Sequence, residues 1–394
     1  MNRVCSIFNQ LLQLFPRLEF EQAVARHHGE RHARGFTCWG QFLAMLFCQI
    51  GQAKSLREIC GGLASSEGKL QHLGLPEAPK RSTLAYANKH RPWQLFAEVF
   101  QQLQNKCGVQ IEQRGRAGAK KFQFRHRLMS IDASLIFLCE KAIDWGEYHR
   151  GKGALKMHVL LDHEGYLPRL AVMSGPNLPE VTVARNWRFA RGTVLLVDKG
   201  YVDYRWYDRL CEDGVWFVTR LRRQAYYELV EQRAVAPGSG VRRDQLIRLG
   251  AQKHRMRNVL RLVEVEREGK EPSLLLTNHL GWEADTVVAL YRERWRIEQF
   301  FRALKQNLRV KTFVGTSANA ILIQIWTALI AILLLKYLML LARFGWSLAN
   351  LVAMLRMQLF VYRDLRTWLN EPFHPPPLPE YLAFEQLNLC FERE

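Results

Sequence analysis

Apolar residues recur every three or four positions through the N-terminal part of the chain. "FNQLLQLFPRLEFEQAV", "CWGQFLAMLFCQI" and "PWQLFAEVFQQLQ" each carry that spacing, which predicts helices. "SLREICGGLA" predicts a short helix ended at Gly61-Gly62, and the punctuated run "SSEGKLQHLGLPEAPKR" predicts a loop. "STLAYANKHR" then predicts a helix capped by Ser82. From residue 128 the period changes. "RLMSIDASLIFLC" alternates, with Met129, Ile131, Ala133, Leu135 and Phe137 on one face and Ser130, Asp132 and Ser134 on the other, the mark of a strand. Two strands follow in "ALKMHVLLDHEGYLPRLAVMSG", joined at Asp162-His163-Glu164-Gly165. "NLPEVTVARNWRFA" reads as a helix, "GTVLLVDKGYV" as a buried strand entering the helix "YRWYDRLCEDG", and "VWFVTRLR" as a fifth strand. The order β-β-β-α-β-α-β predicts a mixed five-stranded α/β sheet with helices on both faces.

Residues 222 to about 282 break that rhythm with short strand-like runs separated by Gly and Pro. The pattern divides the chain into an all-α region (1–118), the first part of the α/β unit (119–222), a β-rich insertion (223–282), the second part of the unit (283–350), and a C-terminal helix with a Pro-rich tail (351–394). One run, residues 320–342, is long and apolar enough to cross a bilayer. It contains Gln324, Thr327 and Lys336 and follows a charged amphipathic helix. A central core helix reads the same way, and no membrane is expected.

Charge adds a partner. The 394 residues carry 56 Lys+Arg against 37 Asp+Glu, a net charge of +19 spread along the chain. Such an excess suits a polyanion, with nucleic acid the default. Residues 112–127, "EQRGRAGAKKFQFRHR", read as a basic linker able to track phosphates. Of the eight cysteines none forms a CxxC pair, and Cys48 and Cys139 sit in apolar runs as small hydrophobes. A reducing compartment fits, and the first twenty residues lack the features of a secretory signal.

Candidate chemistry lies on three segments. Asp132 stands in the middle of the first strand, where an unpaired carboxylate is costly to bury. Asp198 ends "VLLV", and in open α/β sheets the carboxyl ends of strands line the ligand crevice. The third segment is "YRERWRIEQFFRALK", residues 291–305. At about 100° per residue, Tyr291, Arg294, Glu298 and Lys305 fall within roughly 60° of one another, beside the apolar stripe. Asp132, Asp198 and Glu298 together would stay ionised only beside a cation. Mg²⁺ or Mn²⁺ is the expected occupant, as two ions acting on a phosphodiester. Taken singly, each Asp has the ordinary reading of a turn or cap residue, which Asp144, Asp162 and Asp203 are expected to be. The helix over residues 82–91, with Thr83, Asn88, Lys89 and Arg91 as its exposed side chains, is the candidate reader of a DNA groove.

The spacing Tyr291, two residues, Arg294, three residues, Glu298, six residues, Lys305 resembles the Tyr-Arg-Glu-Lys signature of insertion-sequence transposases of family four, the DDE type. "SIDASLIFL" and "LLVDKGYVDY" resemble that family's two Asp regions, and "GALKMHVLLD" and "LRVKTFVGTSANAILIQIW" also resemble it. The resemblance implies a ribonuclease-H-like catalytic domain with a β-rich insertion before the Glu helix. It implies cut-and-paste transposition, commonly through a hairpin at the transposon end. Asp132, Asp198 and Glu298 would be the metal-binding catalytic triad, and Tyr291, Arg294 and Lys305 would hold a neighbouring DNA phosphate. The implied partners are double-stranded DNA, as transposon end and target, and a second copy of the chain in the DNA complex. The implied location is the bacterial cytoplasm, on the nucleoid. Trp216 and Trp282 are candidates to stack on a flipped base. Two other readings stay open on sequence: a metal-dependent nuclease or resolvase that does not join strands, and a transposase-derived DNA-binding protein that no longer cleaves.

Overall fold

The computed structural model describes residues 5–374 apart from positions 32, 34, 67, 116–125, 139–147, 150–151, 237, 239, 252–254 and 311. The centre of the basic linker, Cys139, Asp144 and the Pro-rich tail therefore lie outside the described residues. The N-terminal region is helical: α1 (Ile7–Leu12), α2 (Arg17–Arg26), α3 (Cys38–Ile50), α4 (Leu56–Ala64), α5 (Arg81–His90) and α6 (Gln94–Gly115). Side-chain oxygens of Ser6, Thr37 and Ser55 accept from backbone N–H groups in the first turns of α1, α3 and α4, satisfying donors the helix leaves open. Ser82 does not cap α5. That helix starts at Arg81 after Pro79, with Lys80 as its N-cap and no side-chain cap bond.

All of α3 is buried, and it packs beside α11 (Ala318–Leu341), the long apolar run. The run is a core helix, as its polar residues show. Gln324 donates to the carbonyls of Arg309 and Thr312 at 2.7 and 2.8 Å, and Thr327 donates back to Ile323. Buried polar groups are kept only when bonded in this way. Around α11 one continuous core gathers residues of α1–α6, of α10 (Trp295–Asn307) and of the adjoining sheet face. The helical N-terminal region therefore shares its core with the α/β unit.

The sheet begins as expected. β1 (Leu128–Phe137) pairs antiparallel with β3 (Lys152–Asp162) and parallel with β5 (Val194–Val197). β3 also pairs with β2 (Tyr148–His149) and β4 (Leu167–Ser174), and β5 runs parallel to β6 (Trp216–Arg220). The five expected strands thus lie in the order β4-β3-β1-β5-β6. The sheet is larger than five strands, however. β7 (Tyr227–Arg233), β8 (Val241–Leu249), β9 (Leu260–Arg267) and β10 (Lys270–Thr277) continue it, because β10 pairs antiparallel with β6. The insertion is an extension of the sheet that satisfies the backbone of β6, which would otherwise be an open edge.

Adjacent residues of β5 divide between cores. Leu195 and Val197 face α7 (Glu180–Ala184) and α8 (Tyr204–Glu212), whereas Val194 and Leu196 face α9 (Ala284–Glu293), as strand alternation requires. Residues 291–305 do not form one helix. α9 ends at Glu293, Arg294 is a turn, and α10 starts at Trp295. At the joint, the Arg294 N–H donates to the Tyr291 carbonyl at 3.2 Å, a bond one residue shorter than the α-helical one. Two shorter helices, α12 (Leu348–Gln358) and α13 (Leu365–Asn370), follow α11.

Candidate active site

The register of β1 with β5 pairs Ile131 with Val197, so the next residues, Asp132 and Asp198, come abreast where β5 ends. Asp132 lies on the same face of β1 as Ser130 and Ser134. Its Oδ1 accepts from the Ala133 N–H at 2.8 Å. Burial pushes its carboxyl up to about 7, Glu180 and Asp198 push the same way, and Arg294 opposes them. Burial and the two neighbouring carboxylates outweigh Arg294 in that balance, so further positive charge beside Asp132 would favour its ionised form.

The α9–α10 joint faces this pair. Arg294 donates through one terminal nitrogen to Glu298 Oε1 at 2.6 Å, and its other terminal nitrogen stands 3.9 Å from Asp132 Oδ2. Its Nε is buried with no hydrogen-bond partner. Its guanidinium carbon is 5.8 Å from the Tyr291 ring centre. Burial raises the Tyr291 phenol, with Arg294 opposing and Asp198 adding, so the ring shares the field of both. Lys305, on α10, donates to Ser134 Oγ at 2.7 Å and to the Leu135 carbonyl at 2.8 Å. Arg294 and Lys305 therefore face β1 from the two ends of α10, with Glu298 bonded to Arg294 and Tyr291 beside it on α9.

The carboxylates are the residues able to hold a cation. Asp132 and Asp198 stand together, and Glu298 is engaged by Arg294. Among the described residues no three His, Cys, Asp or Glu side chains are gathered closely enough to form a ready metal cluster. The aspartate pair fits a hard divalent ion, since two adjacent carboxylates are oxygen donors of the type such ions take.

Further residues belong to the same edge. Glu180, at the start of α7, has its carboxyl raised by burial, with Lys156 at 4.0 Å opposing and Asp198 adding to the rise. A cavity of about 660 Å³ lies where β5 and β6 end, lined in part by Lys199, Arg220, Arg222 and Arg223. Trp295, beside Arg294, is 49% exposed. Sequence reasoning missed these. Glu180 is one acid within the helix read over "NLPEVTVARNWRFA", and the arginines belong to the basic excess spread along the chain.

Other expectations fail on position. Asn88 is 2% exposed. Its Oδ1 accepts from Gln41 at 2.8 Å, and its Nδ2 lies 3.3 Å from Met45 Sδ. Arg91 donates to the carbonyls of Phe36 and Thr37. Asn88 lies inside the protein, and Arg91 is half-buried with its guanidinium on the protein's own carbonyls. Thr83 is half-buried and Lys89 exposed, so they lose the companions of the expected reading face. Trp216 pairs with Val194 at the start of β5, the end away from Asp198. Trp282 stacks on His279 at 4.0 Å, and His279 meets Trp216 edge-on at 4.7 Å, so neither tryptophan borders the carboxylates. Asp162 and Asp203 do have the ordinary roles: Asp162 is ion-paired to Arg127, and Asp203 caps α8.

Comparison with known proteins adds identity. Residues 123–334 match the family described as transposase DDE domain, and residues 4–76 match a domain of unknown function, DUF4372. A putative transposase, y4zB, of Sinorhizobium fredii (strain NBRC 101917 / NGR234) is 32% identical over 330 residues, which cover 82% of this chain and 89% of that protein. A probable transposase for insertion sequence element IS5377 of Geobacillus stearothermophilus is 26% identical over 347 residues, 86% of each chain. Among solved structures, a piggyBac transposase in a synaptic complex with hairpin DNA overlaps 97% of this chain and 84% of that one, at a TM-score of 0.47 and 10% identity, too loosely to carry an argument. With the family match spanning more than half of its length, and the first relative matching nearly end to end, the chain belongs to the transposase DDE domain family, among the transposases of insertion sequences.

Proposed function

We propose that this transposase cuts DNA at the ends of an insertion sequence and joins the released ends to a target, as a DDE enzyme of insertion-sequence family four. The observation that carries the reading is the meeting of Asp132 and Asp198, abreast on parallel strands, with the Arg294–Glu298 pair. The order β4-β3-β1-β5-β6, with only β3 running against the other four, supports a ribonuclease-H-like core. Asp132, Asp198 and Glu298 would hold Mg²⁺ or Mn²⁺. Such ions, when bound, stabilise charge on the attacking and leaving oxygens of a phosphodiester. Glu298 reaches the aspartates by giving up Arg294.

Arg294 then has a planar fork to offer a phosphate, including the Nε that has no partner in the protein. Lys305 adds a point charge and Tyr291 a hydrogen-bond donor. The basic residues of the cavity at the ends of β5 and β6, where Arg223 is paired with Glu271, suit the backbone beyond the cut. Water attacks the phosphorus at the element's end and a 3′-hydroxyl leaves. That hydroxyl next attacks the phosphodiester opposite, closing a hairpin and expelling the flanking DNA as a 3′-hydroxyl; a second water hydrolyses the hairpin, and the freed 3′-hydroxyl attacks a target phosphodiester, expelling a target 3′-hydroxyl. A second copy of the chain would hold the other end.

The test uses purified protein, Mg²⁺, duplexes carrying the inverted repeats that flank the gene, and a target plasmid. The reading expects a nick at the end, a hairpin species and end–target joints. Cleavage with no joints would make the protein a nuclease. End binding with no cleavage would make it a DNA-binding relic.

A further inference from the structure

Three alternate residues on one face of β1 are tied to the catalytic helices. Asp132 faces Arg294, and Ser134 accepts from Lys305. The third, Ser130, reaches α9 through a histidine. Its Oγ lies 2.6 Å from His163 Nε2, and His163 Nδ1 lies 3.9 Å from Glu293 Oε2. Ser130 is fully buried, and the His163 and Glu293 side chains are 6% and 8% exposed. Glu293 also meets Arg296 Nε at 3.6 Å and the Tyr166 hydroxyl at 3.5 Å. The Tyr166 ring stands edge-on to His163 and beneath Arg296.

Glu293 is an unlikely residue for its place on energetic grounds. It is the last residue of α9, where the helix dipole disfavours a negative charge, and burial adds a further cost. Partners on two other segments, His163 and Tyr166 in the turn after β3 and Arg296 on α10, offset both. The apolar contacts of Leu290 and Ile297 hold the joint against the sheet, and the polar contacts that converge on Glu293, of which the 3.9 Å one from His163 is an electrostatic contact longer than a hydrogen bond, favour one register. The residue after Glu293 is Arg294, so whatever fixes Glu293 fixes the guanidinium at the catalytic edge. Buried Ser130, with no surface exposed, is not a nucleophile in spite of its histidine.

We propose that His163 and Glu293 are positioning residues: the Ser130–His163–Glu293 link anchors the α9–α10 joint to the strand that bears Asp132, and so sets where Arg294 and Glu298 stand. This rests on the transposase reading given above. Misplacing a catalytic group by about an ångström costs on the order of a hundredfold in rate.

The experiment is single-turnover cleavage of end DNA by the full-length protein in Mg²⁺, with end binding and thermal midpoint measured on the same preparations. His163→Ala is expected to cut about tenfold to a hundredfold more slowly while binding ends normally. His163→Gln, which keeps a donor and an acceptor, is expected to recover part of that loss. In an Arg294→Ala background, His163→Ala is expected to cost less than about threefold, because the two act on one element. Ser130→Ala breaks the same link from the strand side with little change in volume, and decides the matter if His163→Ala does not fold. Wild-type cleavage rates in Ser130→Ala and His163→Ala, or losses that multiply with Arg294→Ala, overturn the proposal. Failure of the wild-type protein to cut any end DNA would instead overturn the transposase reading.

Discussion

Asn88 on α5 and Arg294 at the head of α10 start from the same sequence position: each is a polar residue at the margin of a buried helical stripe. The fold uses them in opposite ways. Asn88 is saturated, its amide bonded to Gln41 and resting on Met45 within one apolar core. Arg294 is unsaturated, with a buried Nε that has no partner and two carboxylates in reach of its other nitrogens. A helical wheel places both at an edge and cannot say whether the partner is protein or ligand. The deciding residue comes from a distant segment: Gln41 for Asn88, Asp132 for Arg294. Lys336 on α11 makes the contrast sharper. It is half-buried, and burial pushes its ammonium down to about 8. Among the described residues no carboxylate is paired with it, so a shielded charge marks a site only where complementary chemistry converges.

The largest effect belongs to the carboxylates. Asp132→Ala and Glu298→Ala should each slow cleavage by more than about a thousandfold while leaving the fold and end binding intact, since they remove ligands and relieve repulsion. Circular dichroism and a single-turnover assay check this, and cleavage near the wild-type rate in either would break the assignment. Arg294→Ala should cost about 2–4 kcal/mol of transition-state stabilisation, as should Lys305→Ala. Later steps, followed from a pre-nicked end, should suffer more than the first nick. Equal rates in variant and wild type would make the stripe structural.

Lys336→Met should stabilise the protein at pH 7 by roughly 3 kcal/mol, at about 1.36 kcal/mol per pKa unit. The folded pKa lies below the unfolded value of 10.5, so the unfolded chain binds the proton more tightly. The penalty is complete below about pH 8 and fades as the pH rises toward 10.5. Urea midpoints across that range test it, and a gain independent of pH would contradict it. Asn88→Ala should cost about 1–3 kcal/mol by leaving the Gln41 amide unsatisfied. Competition between end and random DNA should be unchanged, and altered discrimination at full stability would reverse the comparison drawn above. Tyr291→Phe should be the mildest, about 1 kcal/mol for one neutral hydrogen bond, read in the same cleavage assay.

Much of this was legible along the chain, for physical reasons. Alternation in "SIDASL" placed Asp132, Ser130 and Ser134 on one face of β1, because strand period is a local property. The all-round apolar character of α11 marked a core helix for the same reason. The break at Arg294 was not legible: no Pro or Gly stands there, and the turn depends on how α9 and α10 lie against the sheet. The extension of the sheet through β10 and β6 was hidden because pairing between distant strands leaves no periodic trace. Burial of Asn88 was hidden likewise, since its surface is covered by α3.

The most direct test is single-turnover cleavage of end DNA by Asp198→Asn beside the wild type, with Mg²⁺ present. That substitution keeps the shape of the side chain and removes only its charge. The account predicts that wild type cuts at the element's end in Mg²⁺ and not in EDTA, and that Asp198→Asn binds the same DNA and yields no cut product. Cutting by Asp198→Asn at the wild-type rate, or wild-type cutting undiminished by EDTA, would contradict it.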